Sequence, residues 1–128
     1  MEVKRYFSDS PWEEKVQFCR ALKADQQILV AGTAAISSEG TVGPYDASAQ
    51  AQYIFEKIEK AVTTLGGSRE TIIRTRMFLT RTEDADKVAE VHAAFFKGIY
   101  PVATMVFIDK LVSEDLVVEI EAEALAKE

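Results

Sequence analysis

The sequence contains few of the residues that form disulfides, bind metals or cross membranes. Its 128 residues include one cysteine, Cys19, and one histidine, His92. A single cysteine excludes a disulfide within the chain and a cysteine-rich zinc site, and it fits a reducing compartment. There is no run of 18 apolar residues, and the N-terminus lacks the apolar core of a signal peptide. We therefore expect a soluble cytoplasmic protein with no membrane partner.

Basic residues are also fewer than acidic residues. Lys and Arg number 15 against 21 Asp and Glu, which gives a net charge of -6. Nucleic-acid-binding proteins concentrate Lys and Arg on one surface, so this balance argues against a nucleic-acid partner. The hydrophobic fraction of 48% is ordinary for a globular protein, and the length predicts one domain, residues 1–128, with its own core.

Apolar periodicity predicts strands that alternate with two helices. The predicted strands are "VKRYF", "VQFCRALKA", "ILVAGTAAI", "ETIIRTRMFLT", "ATMVFID" and "LVVEIEAEAL", of which the second and third form a hairpin. The predicted helices are "ASAQAQYIFEKIEKAVTTLGG", which ends at two glycines, and "EDADKVAEVHAAFFKG", which Thr82 is expected to cap. This order indicates an α+β sandwich, a mixed five- to six-stranded sheet with two helices on one face. Because two helices leave the other face bare, we expect the chain to form oligomers through it.

The last predicted strand carries a row of carboxylates. Glu119, Glu121 and Glu123 alternate with apolar residues, which places them on one face about 7 Å apart. Arg74 and Arg76 share one face of another predicted strand and can neutralise part of this row. We predict that at least one glutamate pairs with one of these arginines. A solvated row of charges is the simpler alternative.

The remaining candidates favour structural roles. Cys19 has no Cys or His at a metal-ligand spacing, and His92 lies at the edge of the buried stripe of its helix. The glycine-containing stretch "GTVGPYD" lacks the spacing of a phosphate-binding loop. None of these features predicts a site by itself.

Six segments, in this order and spacing, resemble the Rid superfamily, also called YjgF-like or endoribonuclease L-PSP-like. They are "ILVAGTAA", the long helix closed by "LGGS", "IIRTRMFLT", "VHAAFF", "YPVATMV" and "LVVEIEAEA". The resemblance covers essentially the whole chain. It implies a chorismate-mutase-like fold, a homotrimer with a central β-barrel, and a small-molecule cleft at each subunit interface. Archetypal members hydrolyse reactive enamines and imines, such as 2-aminoacrylate, to a 2-keto acid and ammonia without a metal or organic cofactor.

The chain departs from the family at its central residue. The family arginine lies in a Pro-Ala-Arg-Ser motif, which matches Pro101, Val102, Ala103 and Thr104, so that Ala103 occupies the arginine position. A guanidinium binds a substrate carboxylate through two parallel hydrogen bonds, and alanine cannot replace it. A cysteine that is frequent on the same strand falls at Met105.

Other cleft positions match the family pattern only in part. Trp12 matches the aromatic residue after the family Gly-Pro, and Ala31, Gly32 and Thr33 match the Ser-Gly-Gln of the cleft floor. The resemblance implies that these residues bind substrate. It also implies that Glu119 is the carboxylate that positions the attacking water. Glu119 is thus the expected catalytic residue.

Three functions remain open from the sequence. In the first, which we favour, the cleft binds or hydrolyses a neutral carbonyl, enamine or carbamate-like metabolite, with Glu119 as general base and Trp12 stacked on the substrate. In the second, weak imine deaminase activity persists, with Arg76 or the backbone N–H groups of Gly32 and Thr33 in place of the missing arginine. In the third, the protein binds a small molecule without catalysis, in a stress response for example.

Overall fold

A six-stranded mixed sheet forms the centre of the computed structural model, which describes residues 1–127. The strands are β1 (Val3–Tyr6), β2 (Ala21–Ala24), β3 (Gln27–Ala34), β4 (Ile36–Ser37), β5 (Gly40–Thr41), β6 (Ile72–Leu79), β7 (Val102–Phe107) and β8 (Val118–Leu125). The helices are α1 (Pro11–Val16), α2 (Ala47–Thr64) and α3 (Ala85–Phe95). The sheet order is β1-β2-β3-β8-β6-β7, and only β6 and β7 pair in parallel. The predicted α+β class and mixed sheet are confirmed.

The core lies between one face of the sheet and the two longer helices. The inward residues of β8 alternate with its glutamates and are buried, as period-two patterning requires. The stripe of α2 that meets them includes Ile54, Phe55, Ile58 and Val62, each at most 1% exposed. None of the helices in residues 1–127 is long and apolar enough to cross a membrane.

Helix α1 corrects the prediction that a strand covers "VQFCRALKA". The Ser10 hydroxyl accepts the Trp12 N–H, Pro11 occupies the first helical position, and acidic residues fill the first turn. These signals favour a helix and outweigh the weak alternation that follows. Gln17 ends the helix in the left-handed region, at φ 70°. The strand is therefore restricted to β2, which still forms the predicted hairpin with β3.

The start of α3 also differs from the prediction that Thr82 caps it. Thr82–Asp84 forms a 3₁₀ turn, and the α-helix begins at Ala85. Asp84 is fully buried, and its Oδ2 accepts a hydrogen bond from Arg81 Nε at 2.7 Å. Only the Asp84 side chain is buried in this pair, at 1% exposed against 33% for Arg81.

A bulge in β6 changes the predicted faces of two isoleucines. Strict alternation puts Ile72 on the arginine face and Ile73 on the opposite face. The register against β8 shifts between Ile72 and Arg74, and as a result Ile72 is buried whereas Ile73 is 42% exposed. From Arg74 onward the predicted faces are correct.

Ion pairs on the open face of the sheet confirm the predicted neutralisation of the glutamate row. Arg74 Nε lies 3.4 Å from Glu123 Oε2, and Arg76 Nη1 lies 3.3 Å from Glu121 Oε1. Arg76 also lies 3.9 Å from Glu123 Oε1. These pairs are partly exposed, so each contributes about 0.2–1 kcal/mol. Glu119, the third glutamate of the row, lies in a different environment.

The single histidine joins α3 to the sheet. His92 Nε2 and Thr75 Oγ1 share a hydrogen bond of 2.9 Å, and Thr75 is fully buried. The imidazole ring also packs against Phe55 and Phe96, at centroid distances of 5.5 and 4.6 Å. Burial in this aromatic cluster lowers the pKa of His92 below its usual value.

The lowered pKa of His92 predicts that the free energy of unfolding falls as the solution becomes acidic. The unfolded chain takes up a proton near pH 6.5, about the ordinary histidine pKa, whereas the folded chain resists protonation. This contribution is therefore complete above about pH 6.5 and is lost as the pH falls below it. Urea unfolding across this range should show a weaker pH dependence in His92→Gln, which cannot titrate. Identical pH profiles for the two proteins would contradict the prediction.

Candidate functional site

A cavity of about 300 Å³ lies between α1, the C-terminal end of β3 and the N-terminal end of β8. Trp12, Val16 and Phe18 supply aromatic and apolar walls. The polar groups that line it include Arg20, Lys57 and Glu119. A small apolar cavity with a few converging charged groups is the usual form of a small-molecule site.

Glu119 is the carboxylate of this cavity. It lies on the open face of β8, opposite Ala34 of β3 and Phe78 of β6. Burial raises the pKa of Glu119, the positive charge of Arg20 opposes the rise, and the negative charge of Glu121 adds to it. A partly desolvated carboxyl group of this kind can accept and return a proton during a reaction.

Gly32 makes room for the Glu119 side chain. A Cβ atom at position 32 would lie 2.6 Å from Glu119 Oε2 and 3.2 Å from its Cδ. The register of β3 against β8 shifts between Val30 and Thr33, which places Gly32 within an irregular part of the strand. The glycine is needed here for space, because the carboxylate lies directly against the backbone.

Arg20 lies beneath the cavity in a buried ion pair. Its Nε donates to Glu13 Oε2 at 3.0 Å, and the side chains of Arg20 and Glu13 are 5% and 3% exposed. Its Nη1 donates to the Gly32 carbonyl at 2.6 Å and to Thr33 Oγ1 at 3.2 Å. The other oxygen of Glu13 accepts the Ser8 N–H at 2.7 Å. Hydrogen bonds of this number are what a buried ion pair needs to offset its desolvation.

Sequence reasoning missed the role of Arg20. Arg20 lies within the predicted strand "VQFCRALKA", on the same face as the apolar Val16, Phe18 and Leu22 if the strand alternates regularly. A charged residue at an otherwise apolar position is the signal that a buried partner is present. That partner, Glu13, lies only seven residues earlier, on the helix that was not predicted.

Lys57 is the second cation of the cavity that was missed. Its Nζ donates to the Ile36 carbonyl at 3.0 Å and lies 3.4 Å from Asp9 Oδ1, and its side chain is 9% exposed. Burial lowers the pKa of Lys57, Asp9 opposes this shift, and Arg20 adds to it. The available signal was its place on α2 immediately before Ile58, at the border of the buried stripe.

Three of the predicted site residues meet in this cavity: Trp12, Gly32 and Glu119. Thr33 is buried beside it and binds Arg20. Ala31 lines a neighbouring, wider cavity on the other side of α1, together with Cys19.

The other predicted site residues lie elsewhere in this chain. Arg76 is on the open face against Glu121 and Glu123 and does not line the cavity. Ala103 and Met105 belong to β7, the strand at the edge of the sheet, where they pair with Thr75 and Met77 of β6. Strands β6 and β8 separate them from β3.

The described part of the chain, residues 1–127, contains no group of three or more His, Cys, Asp or Glu side chains arranged to hold a metal ion. The charged side chains of the cavity, which include Arg20, Lys57 and Glu119, are of the kinds that transfer protons or bind ions.

Comparison with known proteins agrees with this architecture. The family model described as endoribonuclease L-PSP matches residues 9–126. An uncharacterised Streptomyces coelicolor protein is 34% identical over 122 residues, which are 95% of this chain and 91% of that protein.

Two solved structures show the same fold. A Mycobacterium tuberculosis protein described as a member of the YjgF/YER057c/UK114 family is 33% identical, with a TM-score of 0.88 over 98% of this chain and 100% of that one. A Yersinia pestis member of the Rid protein family is 23% identical, with a TM-score of 0.79 over 85% of this chain and 87% of that one. At that identity the second structure supports the fold alone. The match to the family model and the two closer relatives show that this chain belongs to the endoribonuclease L-PSP family, the YjgF or Rid family.

Proposed function

We propose that the cavity binds a small enamine, imine or carbonyl metabolite and hydrolyses its carbon–nitrogen bond. The observation that carries the proposal is the partly buried Glu119 carboxyl group, held against Gly32 in a cavity of about 300 Å³ that Trp12 also lines. Proton transfer is the chemistry that such a carboxyl group supports, and the aromatic wall suits a small planar ligand. No metal or organic cofactor is part of the proposal.

Glu119 serves both halves of the proposed hydrolysis. As a carboxylate it accepts a proton from water while the water oxygen forms a bond with the imine carbon, and it passes this proton to the nitrogen to give a carbinolamine. It then accepts the proton of the new hydroxyl group and passes it to the nitrogen, so that the amine leaves and a carbonyl group remains. Water is the only co-reactant, and no oxidation or reduction takes place.

The charge around the cavity bears on the class of substrate. Ala103 supplies no guanidinium, and Arg76 lies with Glu121 and Glu123. Neutral substrates therefore suit the cavity better than 2-imino acids. The second candidate, weak 2-imino acid deaminase activity, is favoured by Arg20, which lines the cavity and whose Nη2 makes no hydrogen bond within residues 1–127. Binding without catalysis is the third candidate.

We further propose that the chain acts in the cytoplasm as one domain, residues 1–128, and assembles as a homotrimer with an intersubunit cleft. The open sheet face and β7 support assembly, because Val102, Val106 and Phe107 are 40% exposed or more. In such a trimer, Ala103 and Met105 of one subunit would complete the cavity of a neighbour. This accounts for their distance from Glu119 within one chain.

The assembly proposal predicts a mass of about three times 14.2 kDa in sedimentation equilibrium. Val106→Asp adds a charge to the edge strand and should dissociate the trimer. Ala93→Asp places the same charge on the exposed surface of α3 and should leave the mass unchanged. A wild-type mass of one subunit would rule out the trimer.

The proposed chemistry predicts the release of 2-keto acid from imines generated in situ by an amino-acid oxidase. Wild type should be weakly active or inactive with 2-iminopropionate, and Ala103→Arg should gain at least about tenfold, because a bidentate ion pair contributes more than 1.4 kcal/mol. Glu119→Gln, made in the Ala103→Arg protein, should remove the gain. A failure of both wild type and Ala103→Arg to accelerate the reaction would argue for binding without catalysis. A fully active wild type would support the second candidate.

The contact between Gly32 and Glu119 predicts that Gly32→Ala lowers both stability and function. The new Cβ overlaps Glu119 Oε2, so the carboxyl group must move, at a cost of about 1–3 kcal/mol in the free energy of unfolding. In a Glu119→Ala background the clash is absent, so the same glycine substitution should cost much less. Urea unfolding of the four proteins in this cycle measures the coupling. An equal cost in both backgrounds would show that the two residues do not compete for space.

A further inference from the structure

We propose that Lys57 is a covalent site in this cavity, an amine that forms an imine with a small carbonyl compound. The lysine chemistry depends on the proposed function only for the nature of the ligand, because the keto product of hydrolysis is itself a carbonyl compound. It requires no turnover.

The position of Lys57 supports this role. Its side chain projects from α2, is 9% exposed, and lines the same cavity as Trp12 and Glu119. The Ile36 carbonyl and the Asp9 carboxylate orient the amine, at 3.0 and 3.4 Å. A ligand in the cavity is therefore enclosed by an aromatic wall, an amine and a carboxyl group.

The surroundings of Lys57 also favour its neutral form. Desolvation penalises the ammonium ion, and the guanidinium of Arg20 repels it, while Asp9 and Glu13 favour it. The net effect of these groups lowers the lysine pKa. A lysine that is desolvated next to another cation is a known arrangement for an amine nucleophile. Lys60, one turn later on α2, is exposed and has no such surroundings.

The reaction balances without an oxidant or reductant. The lone pair of the neutral Lys57 amine attacks the carbonyl carbon, and the carbonyl oxygen takes a proton from Glu119. The nitrogen then loses a proton to the nearby Asp9 carboxylate, which releases it to solvent. Glu119, reprotonated from solvent, protonates the hydroxyl group, which leaves as water while the carbon–nitrogen double bond forms. The iminium nitrogen then returns its proton to Glu119. The products are an imine at Lys57 and one water molecule.

Reductive trapping tests the site directly. The protein would be incubated with glyoxylate and sodium cyanoborohydride, which reduces the imine to a stable secondary amine. Peptide mass spectrometry would then give the rate of modification at each lysine. Lys57 should be modified at least about fivefold faster than the exposed Lys60, despite its burial. Parallel incubation with acetaldehyde distinguishes a preference for an anionic carbonyl compound from one for a neutral carbonyl compound.

Glu119→Gln provides the matched control. It should slow modification of Lys57 and leave Lys60 unchanged, because only Lys57 shares the cavity with that carboxyl group. Modification of Lys57 no faster than Lys60, or a Lys57 rate that is insensitive to Glu119→Gln, would overturn the proposal. In that case the amine would only join Asp9 to the Ile36 carbonyl.

The imine hydrolysis assay on the same preparation separates the two proposals. Hydrolysis without preferential trapping would overturn the lysine chemistry and leave the proposed function intact. Preferential trapping in wild type, with no imine hydrolysis by either wild type or Ala103→Arg, would support the lysine site and remove the hydrolytic role of Glu119.

Discussion

The buried ion pair between Glu13 and Arg20 holds the candidate site together. It joins α1, which carries Trp12, to the irregular part of β3, where Arg20 binds the Gly32 carbonyl and the Thr33 hydroxyl. Burying these charges costs several kcal/mol per ion, and the surrounding hydrogen bonds must offset that cost. Loss of one partner leaves the other charge buried and costs about 3–5 kcal/mol. The aromatic wall and the glycine below Glu119 thus depend on one interaction outside the reaction centre.

The sequence predicted the parts of the fold that a long periodic pattern specifies. Strand β8 and helix α2 each repeat their apolar period over eight or more residues, and β3 is a nearly continuous apolar run, so all three were placed correctly. Helix α1 has only six residues, and its capping signals, rather than any period, produce it. The bulge before Arg74 depends on pairing with β8, which is distant in sequence, and no local pattern indicates it.

The candidate site likewise contains some residues that the sequence predicted and others that it did not. Trp12, Gly32 and Glu119 were placed by resemblance to a family, and they meet in one cavity. Lys57 was not predicted, because its environment comes from contacts with Ile36 and Asp9, 21 and 48 residues away in the chain. A helix pattern shows that a lysine borders the core, but it does not show which carbonyl and carboxylate meet it. Long-range packing therefore decides which charges become functional.

One physical cause acts on both ionisable groups that we assign to the chemistry. Burial raises the pKa of the Glu119 carboxyl group and lowers that of the Lys57 ammonium group, so each is shifted toward its neutral form. Arg20 opposes the first shift and adds to the second. A neutral carboxyl group can donate a proton, and a neutral amine can attack a carbonyl carbon. Arg20 exerts both effects on these pKa values from its place in the ion pair with Glu13.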